Sequence, residues 1–319
     1  MYTILTCMKN EGAFLVEWVA YHLSIGFDHI VVFTNDCDDQ TVEICKIFEE
    51  QKFLTHVENV FTTDQNPQQN ALDVGMSLEV IRSSDWVIHI DVDEFIVVDL
   101  GDGQISDLTQ FASEADAIAL LWKAFGGMNY ARHNGGLVQE RFLKCQEKVE
   151  VRSAFHKTLF RPNSFSKWTP HLPKNPVNRA SVSVVNTSGK QMPKERLIEP
   201  GARWTTERRY LTWENACIHH YAIRSEDLYL LKNDRGDVGE NLYSDKYFLG
   251  SKYHRRYDLN QVFCEDILRH SKRFHYTFEH LLAIDGVKEA IRRSEDWLSN
   301  RRLEFLTQGV REKLTSRRK

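Results

Sequence analysis

Two aspartates one residue apart, Asp91 and Asp93, sit inside the run Ile88-His89-Ile90-Asp91-Val92-Asp93-Glu94-Phe95-Ile96-Val97-Val98. Trp86 to Ile90 is apolar and reads as a buried strand that ends at Asp91. Residues two apart on an extended chain point the same way, so both carboxylates can face one spot. Held there they repel each other unless one is protonated or a cation lies between them. A divalent ion with oxygen preference, Mg²⁺ or Mn²⁺, suits such a site, and Mg²⁺ is typically held by one or two carboxylates plus substrate phosphates. The plain alternative is a solvated acidic turn, which the apolar runs on both sides disfavour. An EF-hand start is disfavoured because Ile96 occupies the loop position that needs glycine. A phosphatase-type aspartyl nucleophile also follows a strand, but Phe95 stands where that family carries Thr or Val.

The elements that must position these carboxylates alternate in type. Tyr2–Met8 reads as a strand and Ala13–Ser24 as a helix, with Leu15, Trp18, Val19 and Leu23 at helical spacing and Gly26 closing it. Strands at 28–33, 54–61 and 86–90 alternate with helices at 41–51 and 70–82. This alternation implies an α/β chain with a mostly parallel sheet and helices on both faces, whose ligands sit beyond the carboxyl ends of the strands. The polar clusters at 9–11, 35–39 and 91–94 all fall at such ends. A helix near 104–112 and a strand at 117–122 follow. The loop Lys123-Ala124-Phe125-Gly126-Gly127-Met128 offers a place where backbone can approach a ligand closely, or a plain tight turn. The stretch from 151 to 200 is aperiodic and holds six of the seven prolines. It reads as irregular strands and long loops over the same edge, with a flap near 181–205. His219 and His220 end an apolar run, and adjacent strand residues face opposite ways, so one of them can reach a metal while the other does not. Ser225 opens a helix carrying Lys232 and Arg235, a cation pair suited to phosphate or an ordinary solvated helix end. From Phe278 onward, helices rich in Arg end in Ser316-Arg317-Arg318-Lys319. They read as a helical cap or as weak adhesion to an anionic membrane surface.

Composition narrows the classes. The chain has 319 residues, 42% hydrophobic, and a formal charge of −4, which gives no general case for nucleic acid. Six cysteines are scattered without a Cys-x-x-Cys pair, so neither a zinc ribbon nor a disulfide scaffold is indicated, and reduced thiols in a cytosol are the simplest account. The N-terminus lacks the pattern of a signal peptide, and no apolar stretch is long enough for a membrane span. A cytoplasmic location is therefore expected, with peripheral contact at the inner face of the plasma membrane as the second reading of the basic tail.

Together these residues resemble a GT-A-fold, nucleotide-diphospho-sugar-dependent glycosyltransferase, and within it the family 2-like group close to family 92. The resemblance rests on Lys9-Asn10-Glu11, Glu17-Trp18, Tyr21-His22 and Gly26. It continues through Asn35 to Asp39 with Thr41, and Asp91-Val92-Asp93-Glu94-Phe95. Phe125-Gly126-Gly127, His156-Lys157, His220-Tyr221, Ser225, Lys232, Arg235 and Gly236 complete it. Cys37 and Gln40 stand where the family usually has small residues, which blurs that loop's geometry. The resemblance spans about residues 3–237. It implies a domain over 1–237, with a nucleotide-binding half of about 1–100 and an acceptor half of about 101–237, followed by a helical extension over 238–319. It also implies roles. Asp91, Asp93 and His220 would hold Mn²⁺ or Mg²⁺. Lys9, Glu11, Asn35, Asp36 and Asp39 would lie against base and ribose, and Lys157, Lys232 and Arg235 against the diphosphate. The implied reaction is sugar transfer from a nucleotide-diphosphate donor, a UDP-sugar favoured, to a hydroxyl of a glycan or glycolipid, with inversion, as in bacterial surface-polysaccharide synthesis. Direct attack needs a general base, for which Glu140 is the candidate and His171 the alternative. A catalytically inactive carbohydrate-binding relative, and a nucleotidyltransferase or phosphatase on a related fold, are the competing classes.

Overall fold

A computed structural model of the chain describes residues 1–62, 64–197, 207–235 and 246–316, without the side chains of residues 196, 235 and 316. The first half runs β1 (Tyr2–Met8), α1 (Gly12–Ser24), β2 (His29–Thr34), α2 (Thr41–Glu50), β3 (Leu54–Glu58), α3 (Pro67–Gly75), α4 (Glu79–Arg82), β4 (Trp86–His89) and β5 (Glu94–Val98). It continues with α5 (Ile105–Phe111), β6 (Ala117–Ala124), α6 (Val138–Arg141), β7 (Lys144–Cys145), β8 (His156–Phe160), β9 (Phe165–Trp168), β10 (Pro173–Pro176), β11 (Val184–Asn186) and β12 (Ala216–His220). Last come α7 (Glu226–Arg235), α8 (Lys252–Tyr257), β13 (Val262–Phe263), α9 (Ser271–Leu282), α10 (Val287–Phe305) and α11 (Gln308–Ser316).

Among the described residues the main sheet has the order β3-β2-β1-β4-β8-β6-β12-β5, with β11 beside β6. The pairs among β3, β2, β1 and β4 are parallel, as the alternation of strand and helix requires. Strand β8 runs antiparallel to β4 and β6, and β5 antiparallel to β12. Both faces are covered. Ile4, Ile30, Val32 and Ile88 enter one apolar cluster, while their neighbours Leu5, Val31, Phe33 and Val87 enter the other. That period of two, with both sides apolar, gives the uninterrupted hydrophobic runs of β2 and β4.

Helix α1 is buried almost all round because α9 and α10 cover the side away from the sheet. It pins β5: Trp18 Nε1 donates to the Glu94 carbonyl at 2.9 Å and Tyr21 Oη to the Ile96 carbonyl at 2.9 Å. Helix α10 braces α7 in turn, through Arg302 to Asp227 at 2.8 Å and Arg301 to Asp234 at 2.5 Å.

Four local expectations change. The helix expected at 70–82 is two helices, broken where Leu78 turns extended (φ −68°, ψ 135°). Asp91 to Glu94 is a tight turn rather than the extended chain that would point both aspartates one way, closed by the Glu94 N–H on the Asp91 carbonyl at 3.0 Å. Strand β5 then leaves to pair with β12 at the far edge. The Gly126-Gly127 loop receives protein, not ligand. A Cβ on Gly126 would collide with the Asn260 side chain, and one on Gly127 with the Arg224 carbonyl. Finally, β11 joins the sheet through Val184 to Asn186, so the start of the expected flap is packed, and residues 198–206 lie outside the described residues.

Candidate active site

A cavity of about 550 Å³ opens at the carboxyl ends of β1, β2, β4, β6 and β12. Its walls include Lys9 and Glu11 after β1, Asn35 and Asp36 after β2, and Asp91 to Asp93 after β4. Trp122 on β6 and His220 at the end of β12 face them, with Phe155, His171, Tyr247, Tyr253, Arg256 and Tyr257 beside these. This is the edge where open α/β sheets bind ligands.

Each aspartate of the turn has its own lysine. The Asp91 carboxylate accepts from Lys157 Nζ at 3.1 Å and from Gln68 Nε2 at 2.9 Å. Lys157 is only 1% exposed and also reaches Glu94 at 3.4 Å, itself fully buried. Withdrawal from water works against the Asp91 charge, but Lys157 and His89 outweigh it and hold the carboxyl down at about 2. Burial pushes the Glu94 carboxyl well up, against the pull of Lys157. Burial also works against the Lys157 charge, yet the Asp91 and Glu94 carboxylates raise it.

Asp93 sits apart from this buried triad. Its Oδ2 takes Lys232 Nζ at 3.1 Å, and Lys232 also donates to the Ala222 carbonyl at 2.8 Å. Asp93 Oδ1 lies 3.9 Å from His220 Nε2. Burial lowers His220 to about 4, so its imidazole is neutral at physiological pH. Its ring packs on Trp122 with centroids 4.0 Å apart.

The loops after β1 and β2 are tied to each other. Asn10 and Asp36 adopt left-handed backbone (φ 56° and 47°), a conformation Asn and Asp tolerate. Asp39 accepts from the Gly12 N–H at 2.8 Å and from the Thr41 N–H at 2.9 Å, while Thr41 Oγ1 receives the Glu11 N–H. Lys9 lies 3.9 Å from Asp36, and Glu11 lies 3.7 Å from Arg224.

The fold therefore brings Lys9, Glu11, Asn35, Asp36, Asp91, Asp93, His171, His220 and Lys232 to one cavity. Three candidates do not line it. Lys157 lies beneath the acidic turn as its counter-charge. Asp39 ties the first two loops together and caps α2. Glu140 pairs with His275 at 3.0 Å, on a half-exposed patch. The Arg235 side chain lies outside the described residues. The three expected metal ligands are also not equivalent. Among the described residues the trio of ligand atoms within 4.8 Å of one another is His219, Cys264 and Asp266, not Asp91, Asp93 and His220. Asp93 Oδ1 and His220 Nε2 lie 3.9 Å apart, while Asp91 is turned toward Lys157.

Sequence reasoning missed Glu94, Gln68 and the aromatic wall. Glu94 was visible as the third carboxylate of the turn. Tyr253, Arg256 and Tyr257 lie on α8, beyond the reach of the family resemblance, and carry no motif.

A mixed sheet with a cleft at its parallel carboxyl ends and an acidic turn after β4 defines a GT-A-type glycosyltransferase fold. The chain belongs to glycosyltransferase family 92, whose family model matches residues 2–229. It is 31% identical over 103 residues to a family 92 protein of Ricinus communis, an alignment covering 31% of this chain and 17% of that protein. It is 29% identical over 96 residues to one of Oryza sativa subsp. japonica, covering 29% and 15%. The matched stretch thus spans less than a fifth of these curated relatives. Among solved structures, S. aureus TarS 1–349 aligns over 94% of this chain and 91% of its own, at 13% identity and a TM-score of 0.35.

Proposed function

We propose that the chain transfers a sugar from a nucleoside-diphosphate donor, a UDP-sugar favoured, to a hydroxyl of a glycan or glycolipid, with inversion. The observation that carries this reading is Asp93, held in the cavity between a cation, Lys232, and a neutral imidazole, His220. Asp93 Oδ1 and His220 Nε2 are too far apart for a hydrogen bond, but 3.9 Å is a spacing two ligands of one ion can have. An oxygen–nitrogen donor pair beside room for phosphate fits Mn²⁺ or Mg²⁺, with Asp93 and His220 as holders and Asp91 as the neighbouring carboxylate. When bound, such an ion stabilises the negative charge that develops on the departing diphosphate.

The chain's own residues supply the rest. Lys232 and Lys9 bring positive charge to the diphosphate side. Asn35, Asp36 and Glu11 offer hydrogen-bond partners for ribose and base. Trp122, Phe155, Tyr253 and Tyr257 give the opposite wall flat apolar faces, on which a sugar ring can stack. His171 is the base candidate that lines the cavity: its Nδ1 meets the His156 carbonyl at 3.0 Å, which leaves the lone pair on Nε2. Attack of the acceptor hydroxyl on the anomeric carbon forms the new glycosidic bond. The bond to the diphosphate breaks, and the hydroxyl proton passes to the base.

A cytoplasmic location with membrane-surface contact is the accompanying proposal. No helix among the described residues is long and apolar enough to cross a membrane. Several tail arginines are already paired, Arg292 with Glu289 and Asp296 and Arg301 with Asp234, which leaves less charge for anionic lipid.

The test is a panel of nucleotide sugars incubated with Mn²⁺. Release of the nucleoside diphosphate from one donor, abolished by chelator, is the expected result. Release of pyrophosphate or inorganic phosphate would move the assignment to a nucleotidyltransferase or phosphatase. Binding without any turnover would make the chain a carbohydrate-binding relative.

A further inference from the structure

One strand residue before His220, the sequence builds a second cluster that the donor site does not use. His219 is fully buried on β12, with its ring against Phe125 at 4.3 Å between centroids. Its Nε2 is buried and makes no hydrogen bond. His219, Cys264 and Asp266 each offer a ligand atom, all within 4.8 Å of one another. Cys145 stands beside the trio on a third segment, its sulfur outside the 4.8 Å group, from where it would move in as a fourth ligand. It lies on β7, which pairs with β13, and Cys264 follows β13, with its N–H on the Leu143 carbonyl at 2.8 Å. The Cys264 thiol donates to Asp266 at 3.1 Å.

We propose that Cys145, His219, Cys264 and Asp266 form a structural zinc site that fastens the β7–β13 ladder to the central sheet. The donor set is the one Zn²⁺ takes: thiolate, imidazole and carboxylate in a closed four-ligand site. Bonds of about 2.3 Å to sulfur and about 2.0 Å to nitrogen put tetrahedral ligand atoms roughly 3.3 to 3.8 Å apart, so the trio closes on the ion by about an ångström. The charge balances as well. Two thiolates and one carboxylate carry three negative charges, Zn²⁺ carries two positive, and Lys123 supplies the third. Its ammonium lies 3.0 Å from Cys264 Sγ and 3.1 Å from Asp266. With two neutral thiols, Lys123 and Asp266 alone cancel, so zinc uptake displaces two thiol protons and leaves the cluster neutral. The cysteines lie far apart in sequence, at 145 and 264, so no spacing motif announces them.

The reduced full-length chain is titrated with Co²⁺ as a spectroscopic substitute, and its zinc content is measured after purification without chelator. The expected results are one zinc per chain and, with Co²⁺, a sulfur-to-metal charge-transfer band together with intense visible bands of tetrahedral cobalt. Cys264→Ser and Cys145→Ser should each lose most of the charge-transfer intensity. Asp93→Asn should keep it, because Asp93 and His220 offer no sulfur, which separates this metal from any bound there. If the serine variants do not fold, thiol counting on the wild-type chain, in enough denaturant to expose the buried thiols of the metal-free form, decides: zinc should protect two of the six cysteines from a thiol reagent. Cobalt uptake without a thiolate band, no uptake at all, or thiol reactivity unchanged by zinc would each overturn the proposal.

Discussion

Removing the lysine beneath the acidic turn should be among the costliest single changes near the cleft. Lys157 is 1% exposed and lies 3.1 Å from Asp91 and 3.4 Å from Glu94. Lys157→Met keeps most of the volume and deletes the charge. Asp91, 35% exposed, can still find water, but Glu94 is fully buried and must take up a proton or remain an uncompensated ion. Breaking a buried pair in this way costs about 3–5 kcal/mol, a large part of the roughly 5–15 kcal/mol that holds a typical domain together. Glu94→Gln in the same chain removes the stranded charge, so the double variant should recover about 1–2 kcal/mol relative to additivity. The sign with pH is fixed by the direction of the lysine's shift. A raised folded-state value means the stabilisation is present below the unfolded value of 10.5 and lost only as pH rises through the folded one. The lysine's own contribution should therefore be constant between about pH 6 and 9, while a proton taken up by Glu94 makes the Lys157→Met deficit grow as pH rises, by up to about 1.4 kcal/mol per pH unit. Urea unfolding of the four chains of this cycle measures it. A loss below about 1 kcal/mol, or no recovery in the double variant, would refute the claim that Lys157 is the counter-charge of the turn.

Other outcomes follow from the same structure. Burial lowers His22, His89 and His156 to about 3, and His133, His220 and His270 to about 4. The stability these neutral rings provide is complete above the unfolded value of 6.5 and lost as pH falls toward 4, each with a limiting slope of about 1.4 kcal/mol per pH unit. Denaturant midpoints measured from pH 7 to 5 should fall steeply, and a flat profile would contradict the neutral assignment. Gly127→Ala, which places a Cβ on the Arg224 carbonyl, should cost about 1–3 kcal/mol in thermal unfolding, whereas Gly309→Ala, in open space on α11, should stabilise by up to about 1 kcal/mol. Glu140→Gln should leave kcat near wild type because that carboxylate pairs with His275, while His171→Ala should lower kcat by about 10²-fold or more in a donor-consumption assay. Equal effects of the two would remove the distinction drawn between them.

The parallel half of the fold was legible because each strand there is an uninterrupted apolar run followed by a helical period. Its polar strand ends converged as parallel topology requires. The antiparallel half was harder to read. Strand β8, His156–Phe160, carries a lysine and a histidine fully inside the protein, so its sequence looks like a loop until Asp91 and Glu94 are seen to neutralise it. The same pairing explains why Lys157 read as a phosphate ligand: a cation near a diphosphate site and a cation buried under carboxylates have one sequence signature. The place of Glu140 outside the cavity and the aromatic wall were illegible for a different reason. Which loop reaches the cavity depends on contacts between segments more than 100 residues apart, such as Gly127 with Asp258 and Met128 with Asn260, and no local pattern encodes them.

Asp93, with His220, is proposed to gather a divalent cation against a nucleoside diphosphate in the cleft. Calorimetric titration of UDP into the wild-type chain and Asp93→Asn, each with Mn²⁺ and with chelator, tests it most directly. The predicted result is binding to the wild type with Mn²⁺, weakened at least about tenfold, or about 1.4 kcal/mol, both by chelator and by the substitution. Affinity that is equal in all four titrations would contradict it.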